Sequence, residues 1–215
     1  MDKITEQLEQ CYTGVVSDML RQEGIKNKVL PQNIRPLIAG QNLCGPIWTV
    51  SGHVDTTADA HETLLQWTGF LSKAPSGHVV VCQPNDERVA HMGELSSETF
   101  KLRGIKGYVV DGGIRDSEFI INIGFQVFHT YFTPLDVVGY WLPDGFDIPI
   151  TIGDVEIYSG DYLLGDRDGV VIVPKEHAAK IAVLSIEAMT KENLVRTAIM
   201  EGGDPQEAYI KYGKF

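Results

Sequence analysis

The chain has 215 residues, of which 43% are hydrophobic and 22% charged, an ordinary globular balance. Lys and Arg number 18 against 29 Asp and Glu, and the resulting formal charge of −11 argues against broad electrostatic binding to nucleic acid or to an anionic membrane. No window reaches the roughly 18 apolar residues of a membrane span, and the start, Met1-Asp2-Lys3-Ile4-Thr5-Glu6-Gln7, lacks the basic and apolar regions of a signal peptide. Three widely spaced cysteines, Cys11, Cys44 and Cys82, form no CxxC pair, which points to a reducing cytoplasm rather than to a disulfide framework or a zinc site. One domain spanning 1–215 is the expected organisation.

Ile4, Leu8, Cys11 and Val15 fall at helical spacing and predict an N-terminal helix, followed by a short piece over Val16–Leu20 that stops near Gly24. Asn27 to Ala39 reads as loop. Gly45–Val50 reads as a strand after a Gly-Pro break, and Asp59–Leu71 as a helix. The middle then alternates. Strands are predicted at His78–Cys82, Gly107–Val110 and Phe125–Phe128, with helices over Leu95–Arg103 and Ile114–Ile123 between them. That order implies right-handed crossovers and a parallel sheet, hence an α/β fold. From Asp147 to Pro174 the pattern is all-β, with Gly153-Asp154 as a hairpin turn and Val170–Val173 as an apolar strand. Pro174 opens a long helix to about Glu201. Gly202-Gly203 ends it, and Asp204-Pro205-Gln206-Glu207 starts a last short one. About 27 residues at 1.5 Å each give roughly 40 Å, long enough for one end to dock on a neighbouring subunit.

Ligands of open α/β sheets sit where strands end and helices begin. Two such junctions lie close together here, His91-Met92-Gly93-Glu94-Leu95-Ser96 and Asp111-Gly112-Gly113-Ile114-Arg115-Asp116. If their strands are neighbours, the junctions face one crevice. A helix N-terminus at Gly93 offers free N–H groups to a carboxylate. Arg115 offers a bidentate fork, and Asp116 and Glu94 offer hard oxygens suited to Mg²⁺ or Mn²⁺. The bland readings are a first-turn Asp beside a surface Arg for the pair 115–116, and a solvated first-turn carboxylate for Glu94. His91 and His61 have no sequence-local partner and read as packing or surface residues. Asp18 reads as a capping or interface residue, and Trp48, Trp67 and Trp141 as core or interface. Asp166-Arg167-Asp168-Gly169 reads as a β-turn rather than a calcium loop. No glycine-rich loop follows an early strand, so a methyltransferase is poorly supported.

Gly93-Glu94, twenty residues, then Arg115-Asp116 fits a Gly-Asp/Glu…Arg-Asp signature. On it, and on Ser17-Asp18, Gly45-Pro46, Ser159-Gly160-Asp161, Gly165 to Val171 and Tyr212-Gly213, the chain resembles the class II 4-hydroxy-4-methyl-2-oxoglutarate aldolases, which share a family with RraA, the regulator of ribonuclease E activity. The resemblance implies an α-β-β-α sandwich of the swivelling β/β/α type, here with a long C-terminal helix. It also implies a homotrimer or dimer of trimers with active sites at subunit boundaries. By the same resemblance Asp116 would bind a divalent metal, Mg²⁺ or Mn²⁺, directly and Glu94 through water. Arg115 would contact the pyruvoyl oxygens, and the amides of Gly93, Glu94, Leu95 and Ser96 would hold the substrate carboxylate. The implied activity is cleavage of a 4-hydroxy-2-oxo acid to pyruvate, with oxaloacetate decarboxylation beside it. The rival is a non-catalytic protein-binding regulator on the same fold. Gln83–Arg88 and His129–Phe132 match the family less closely, and both are expected to line the far side of the pocket.

Overall fold

The computed structural model describes residues 2–213, so that Met1, Lys214 and Phe215, the ends of the 1–215 unit, lie outside the described residues. Helices α1 (Lys3–Leu8) and α2 (Thr13–Gln22) precede strands β1 (Arg35–Pro36) and β2 (Leu43–Val54). Then come α3 (Ala60–Lys73), β3 (Val79–Gln83), α4 (Glu94–Leu102), β4 (Gly107–Val110), β5 (Gly113–Ile114), α5 (Ser117–Ile123), β6 (Val127–His129) and β7 (Tyr131–Phe132). The rest is β8 (Trp141–Phe146), β9 (Ile150–Ile152), β10 (Val155–Ile157), β11 (Tyr162–Gly165), β12 (Val170–Val173), α6 (Lys175–Met200) and α7 (Pro205–Tyr212).

The main sheet runs β1-β6-β4-β3-β2-β11-β12, with β8 also on β2. The pairs β2–β3, β3–β4 and β4–β6 are parallel, as the alternating pattern requires. β2 is long enough to serve two regions. Its first residues pair antiparallel with β11, and its later ones pair with β3 on one side and β8 on the other.

Apolar strand runs without alternation mean that both faces are covered, and three separate cores show by what. Val80, Cys82, Tyr108 and Val110 point into a core that includes Phe70 of α3, Phe100 of α4 and Ile120 of α5. Val79, Val81 and Val109 point the other way and meet Val170 and Ile172 of β12 and the β9–β10 hairpin. Val171 and Val173, on the outer face of β12, pack with Leu8, Val16 and Ile181 of α1, α2 and α6. The layers are therefore helix, sheet, sheet, helix, and the long C-terminal helix belongs to the last of them. No helix is long and apolar enough to cross a membrane among the described residues.

The structure departs from the expected elements in several places, among them β1 at Arg35–Pro36, inside the stretch expected as loop. The N-terminal stretch is two helices rather than one long and one short. The break falls before Thr13, whose N–H and hydroxyl are taken by the buried Asp166 carboxylate at 2.8 Å each. Asp166-Arg167-Asp168-Gly169 is thus a structural turn that fixes the start of α2. The helix expected from Ile114 begins at Ser117, because Gly113 and Ile114 pair with Tyr131 and Phe132 instead. β8 was not expected, and its Trp141 is fully buried. Asp18 lies within α2 and pairs with Arg21 rather than capping.

Candidate active site

β3 and β4 are neighbours, so the loops that follow them leave the sheet side by side. Beyond the strand ends these loops keep pairing. Ala90 bridges Gly113, His91 N–H donates to Gly113 O at 2.8 Å, and Arg115 N–H donates to Met92 O at 3.0 Å. A third segment, following β6, joins them through β7 and through Ala90 N–H donating to Leu135 O at 2.9 Å. This three-segment ladder brings residues 93–94, 115–116 and 136 together across twenty and more residues of chain.

Glu94 N–H donates to Asp116 Oδ2 at 3.1 Å. Arg115 Nε stands 3.5 Å from the same oxygen, and its Nη1 lies 3.0 Å from Asp136 Oδ2. Gly93 is the N-cap of α4, and no side chain caps it. The N–H groups of Leu95 and Ser96 accordingly have no acceptor among the described residues. Gly93 is needed for contact, not for its backbone angles. Its φ of −148° is ordinary extended chain, but a Cβ there would sit 2.7 Å from Asp116 Oδ2. Asp116 itself takes a left-handed φ of 55° at the N-cap of α5 without capping it, a strained placement that aims its carboxylate back at Glu94.

Glu94, Arg115 and Asp116 line one cavity of about 580 Å³ together with Gly93, Leu95, Ser96 and Asp136. Leu64, Trp67, Leu71, Val137 and Val138 line it as well. The expected site residues are thus gathered in one place. Asp136 was missed by the sequence reading, because it arrives on a loop with no motif of its own. The segment Gln83–Arg88 does not line this cavity. Gln83, Asn85, Asp86 and Glu87 line a separate polar cleft of about 770 Å³ with Asp111, Thr130 and Tyr131.

The donor set suits a hard divalent cation that keeps most of its waters. Asp116 Oδ1 has no protein donor among the described residues, whereas Oδ2 is anchored, so one oxygen is left to face a ligand. The Glu94 carboxylate likewise has no hydrogen bond or ion pair there. No group of three or more His, Cys, Asp or Glu is clustered closely enough to cage an ion among the described residues. A cation there would have few protein ligands.

His91 lies buried next to the site, with its ring edge against Trp141 at 4.9 Å between centroids. Neither ring nitrogen has a hydrogen bond, and Nε2 stands 3.5 Å from Asp86 Oδ2. Burial pulls its pKa down to about 4, against the opposing pull of Asp86. It is neutral near pH 7 and packs, as the sequence reading held, while His61 is exposed on α3. Burial and the nearby Glu87 push the Asp111 carboxyl upward in the separate cleft.

The Legionella pneumophila protein DlpA is 26% identical over 99% of this chain, but the chain spans only 34% of DlpA's length. A Halalkalibacterium halodurans protein named "Putative 4-hydroxy-4-methyl-2-oxoglutarate aldolase" is 27% identical over 98% of this chain and 95% of its own. The solved structure of Streptomyces coelicolor RraAS2, an unusual member of the RNase ES inhibitor RraA family, superposes with a TM-score of 0.80 at 25% identity, covering 91% of this chain and 96% of that one. The RraA-like family, described as Aldolase/RraA, matches residues 13–172, and the chain belongs to it.

Proposed function

We propose that residues 1–215 act as one domain, a divalent-metal-dependent class II aldolase that cleaves a 4-hydroxy-2-oxo acid, the class of 4-hydroxy-4-methyl-2-oxoglutarate, to pyruvate and a second oxo compound. The observation that carries this is the meeting of the Gly93-Glu94 helix start with Arg115-Asp116 in one cavity, tied by Glu94 N–H to Asp116 Oδ2 at 3.1 Å. A name borne by a relative of nearly the same length agrees with it.

In this reading the free N–H groups of Leu95 and Ser96, at the positive end of α4, receive the C1 carboxylate. Asp116 and Glu94 would be the residues that hold Mg²⁺ or Mn²⁺, Asp116 directly and Glu94 through water. Such an ion would supply Lewis-acid chemistry to the 2-oxo acid. Arg115 points its guanidinium at the C2 oxygen. A water ordered by Glu94 accepts the proton of the C4 hydroxyl. The C4 oxygen becomes a carbonyl, the C3–C4 bond breaks, and its electron pair moves toward the C2 oxygen, where Arg115 meets the growing charge. Reprotonation at C3 gives pyruvate. Oxaloacetate can yield the same three-carbon unit by losing CO₂, as a side reaction.

We further propose a homotrimer or dimer of trimers with the site at a subunit boundary. Leu95 is 77% exposed and Phe132 61% exposed beside the site, more apolar surface than a catalytic rim needs. The unpaired, buried cysteines fit a cytoplasmic setting.

The test is pyruvate release from a panel of 4-hydroxy-2-oxo acids and oxaloacetate with Mg²⁺ or Mn²⁺, repeated in EDTA. Metal-dependent release is expected. Absence of turnover on every 2-oxo acid, with either metal, favours the regulator reading, which the likeness to RraAS2 supports.

A further inference from the structure

Resting on that reading of the site, we infer that Asp136 is a positioning residue for the cleavage. Its carboxylate fixes the guanidinium of Arg115 in the direction from which it meets the charge on the C2 oxygen. The two contacts of that guanidinium differ in kind. Arg115 Nε stands 3.5 Å from Asp116 Oδ2, beyond ordinary hydrogen-bond length, and Asp116 is its neighbour in the chain. Nη1 stands 3.0 Å from Asp136 Oδ2, a charge-assisted hydrogen bond from a different loop. The second contact is the one that orients the side chain.

The Asp136 carboxylate is itself held. Its Oδ1 accepts from Val138 N–H at 2.9 Å, while Oδ2 meets Arg115. The loop around it is pinned on both sides by bonds that do not involve the carboxylate. Ala90 N–H donates to Leu135 O at 2.9 Å, and Gly139 N–H donates to the Thr63 hydroxyl oxygen at 3.0 Å. Thr63 is fully buried on α3, and its hydroxyl donates in turn to Asp59 O at 2.9 Å. An arginine side chain has many rotamers to lose. Here its backbone is fixed by Met92 O and its far end by a carboxylate on a braced loop.

Stability does not account for the pair. Both side chains are 37% exposed, and an ion pair in that setting adds little to folding. The bonds at Leu135 and Gly139 hold the loop without Oδ2. What the pair supplies is a guanidinium oriented before charge develops, the condition under which a fixed donor contributes most to a transition state.

Asp136→Asn separates the work of the two oxygens. The amide oxygen still accepts from Val138 N–H, so the turn is kept, while an NH₂ group replaces the acceptor that faces Arg115. Pyruvate release from 4-hydroxy-4-methyl-2-oxoglutarate with Mg²⁺ is measured on the assembled protein. kcat is expected to fall by about tenfold to a hundredfold, with KM within about threefold of wild type. In an Arg115→Ala background the same change should alter the residual kcat by less than about twofold, because Asp136 acts only through Arg115. A loop that was merely disturbed would lower both backgrounds alike. The Arg115 Nε–H signal in ¹⁵N NMR, assigned by its loss in Arg115→Ala, reads the contact without turnover and should shift in Asp136→Asn. A wild-type kcat in Asp136→Asn, an equal loss in both backgrounds, or an unmoved Arg115 signal overturns the inference and leaves the aldolase reading standing. No pyruvate from the wild-type protein on any 2-oxo acid overturns the aldolase reading and, with it, the part given to Asp136 in cleavage.

Discussion

Gly93→Ala tests the site without removing any group that touches substrate. The new Cβ would lie 2.7 Å from Asp116 Oδ2 and 3.3 Å from both Cγ and Nε of Arg115. The backbone at Gly93, with φ −148° and ψ −173°, accepts alanine freely, so the whole effect is contact. Carbon and oxygen settle well beyond 3 Å, and the carboxylate must retreat by about 0.5 Å or more. That movement lengthens the Glu94 N–H bond, now 3.1 Å, and turns the free oxygen of Asp116 away from the cavity. A misplacement of about 1 Å at a reacting centre costs roughly a hundredfold in rate, so kcat/KM should fall between about tenfold and a hundredfold. Stability should barely change. Losing one half-exposed hydrogen bond costs about 1 kcal/mol, and replacing glycine gains back roughly 0.4–1 kcal/mol through the unfolded chain. The melting temperature should shift by less than about 3 °C. Steady-state pyruvate release and a thermal melt measure both. Gly69→Ala on α3, where a Cβ meets nothing within 4 Å, is the control and should keep full activity. Wild-type kcat/KM in Gly93→Ala, or lost activity accompanied by a collapse in melting temperature, would refute the argument.

Two further predictions concern single residues. Asp116→Asn keeps an oxygen for Glu94 N–H but removes the charge, and Arg115→Lys keeps the charge but loses the planar fork. Each should lower kcat/KM by about a hundredfold or more with circular dichroism unchanged, since both side chains are more than a third exposed and their ion pairs add little stability. Rates within a few-fold of wild type in either variant would contradict the roles assigned. His91→Gln addresses pH. The folded pKa near 4 lies below the ordinary value of 6.5, so the unfolded chain takes up a proton that the folded one refuses. Stability from this group is full above about pH 6.5 and is lost as pH falls toward 4, with a loss of about 2 kcal/mol by pH 5. Urea melts at pH 8 and pH 5 should show that loss in the wild type and not in His91→Gln. Parallel pH dependence of the two proteins would show that residue 91 does not carry it.

Much of the fold was legible because both faces of its strands are buried, and that leaves unbroken apolar runs at Val79–Cys82, Gly107–Val110 and Val170–Val173. Helix ends marked by local chemistry were equally readable. Asp59 caps α3, and Asp204 with Pro205 starts α7. The misreadings share one physical cause, which is pairing between distant residues. Ile4, Leu8, Cys11 and Val15 face one core across the break between α1 and α2, so their spacing hides the break. Nothing near Thr13 reveals that Asp166, 153 residues away, will cap a new helix there. Ile114 looks helical from its neighbours and becomes a strand because Phe132 is beside it.

The candidate site divides in the same way. Gly93, Glu94, Arg115 and Asp116 could be singled out because each pair sits at the start of the helix that follows its strand, where the order of elements alone puts two loops side by side. Asp136 could not, since it reaches the site only through the ladder beyond the sheet, in which residues 90, 113 and 131–135 pair with one another. Its presence changes the chemistry expected there. Without it, Arg115 would face Asp116 alone. With Asp136 Oδ2 at 3.0 Å from Nη1, the guanidinium is held between two carboxylates, Asp116 on one side and Asp136 on the other. The residue least visible in the sequence therefore bears most directly on how Arg115 is oriented in the cavity.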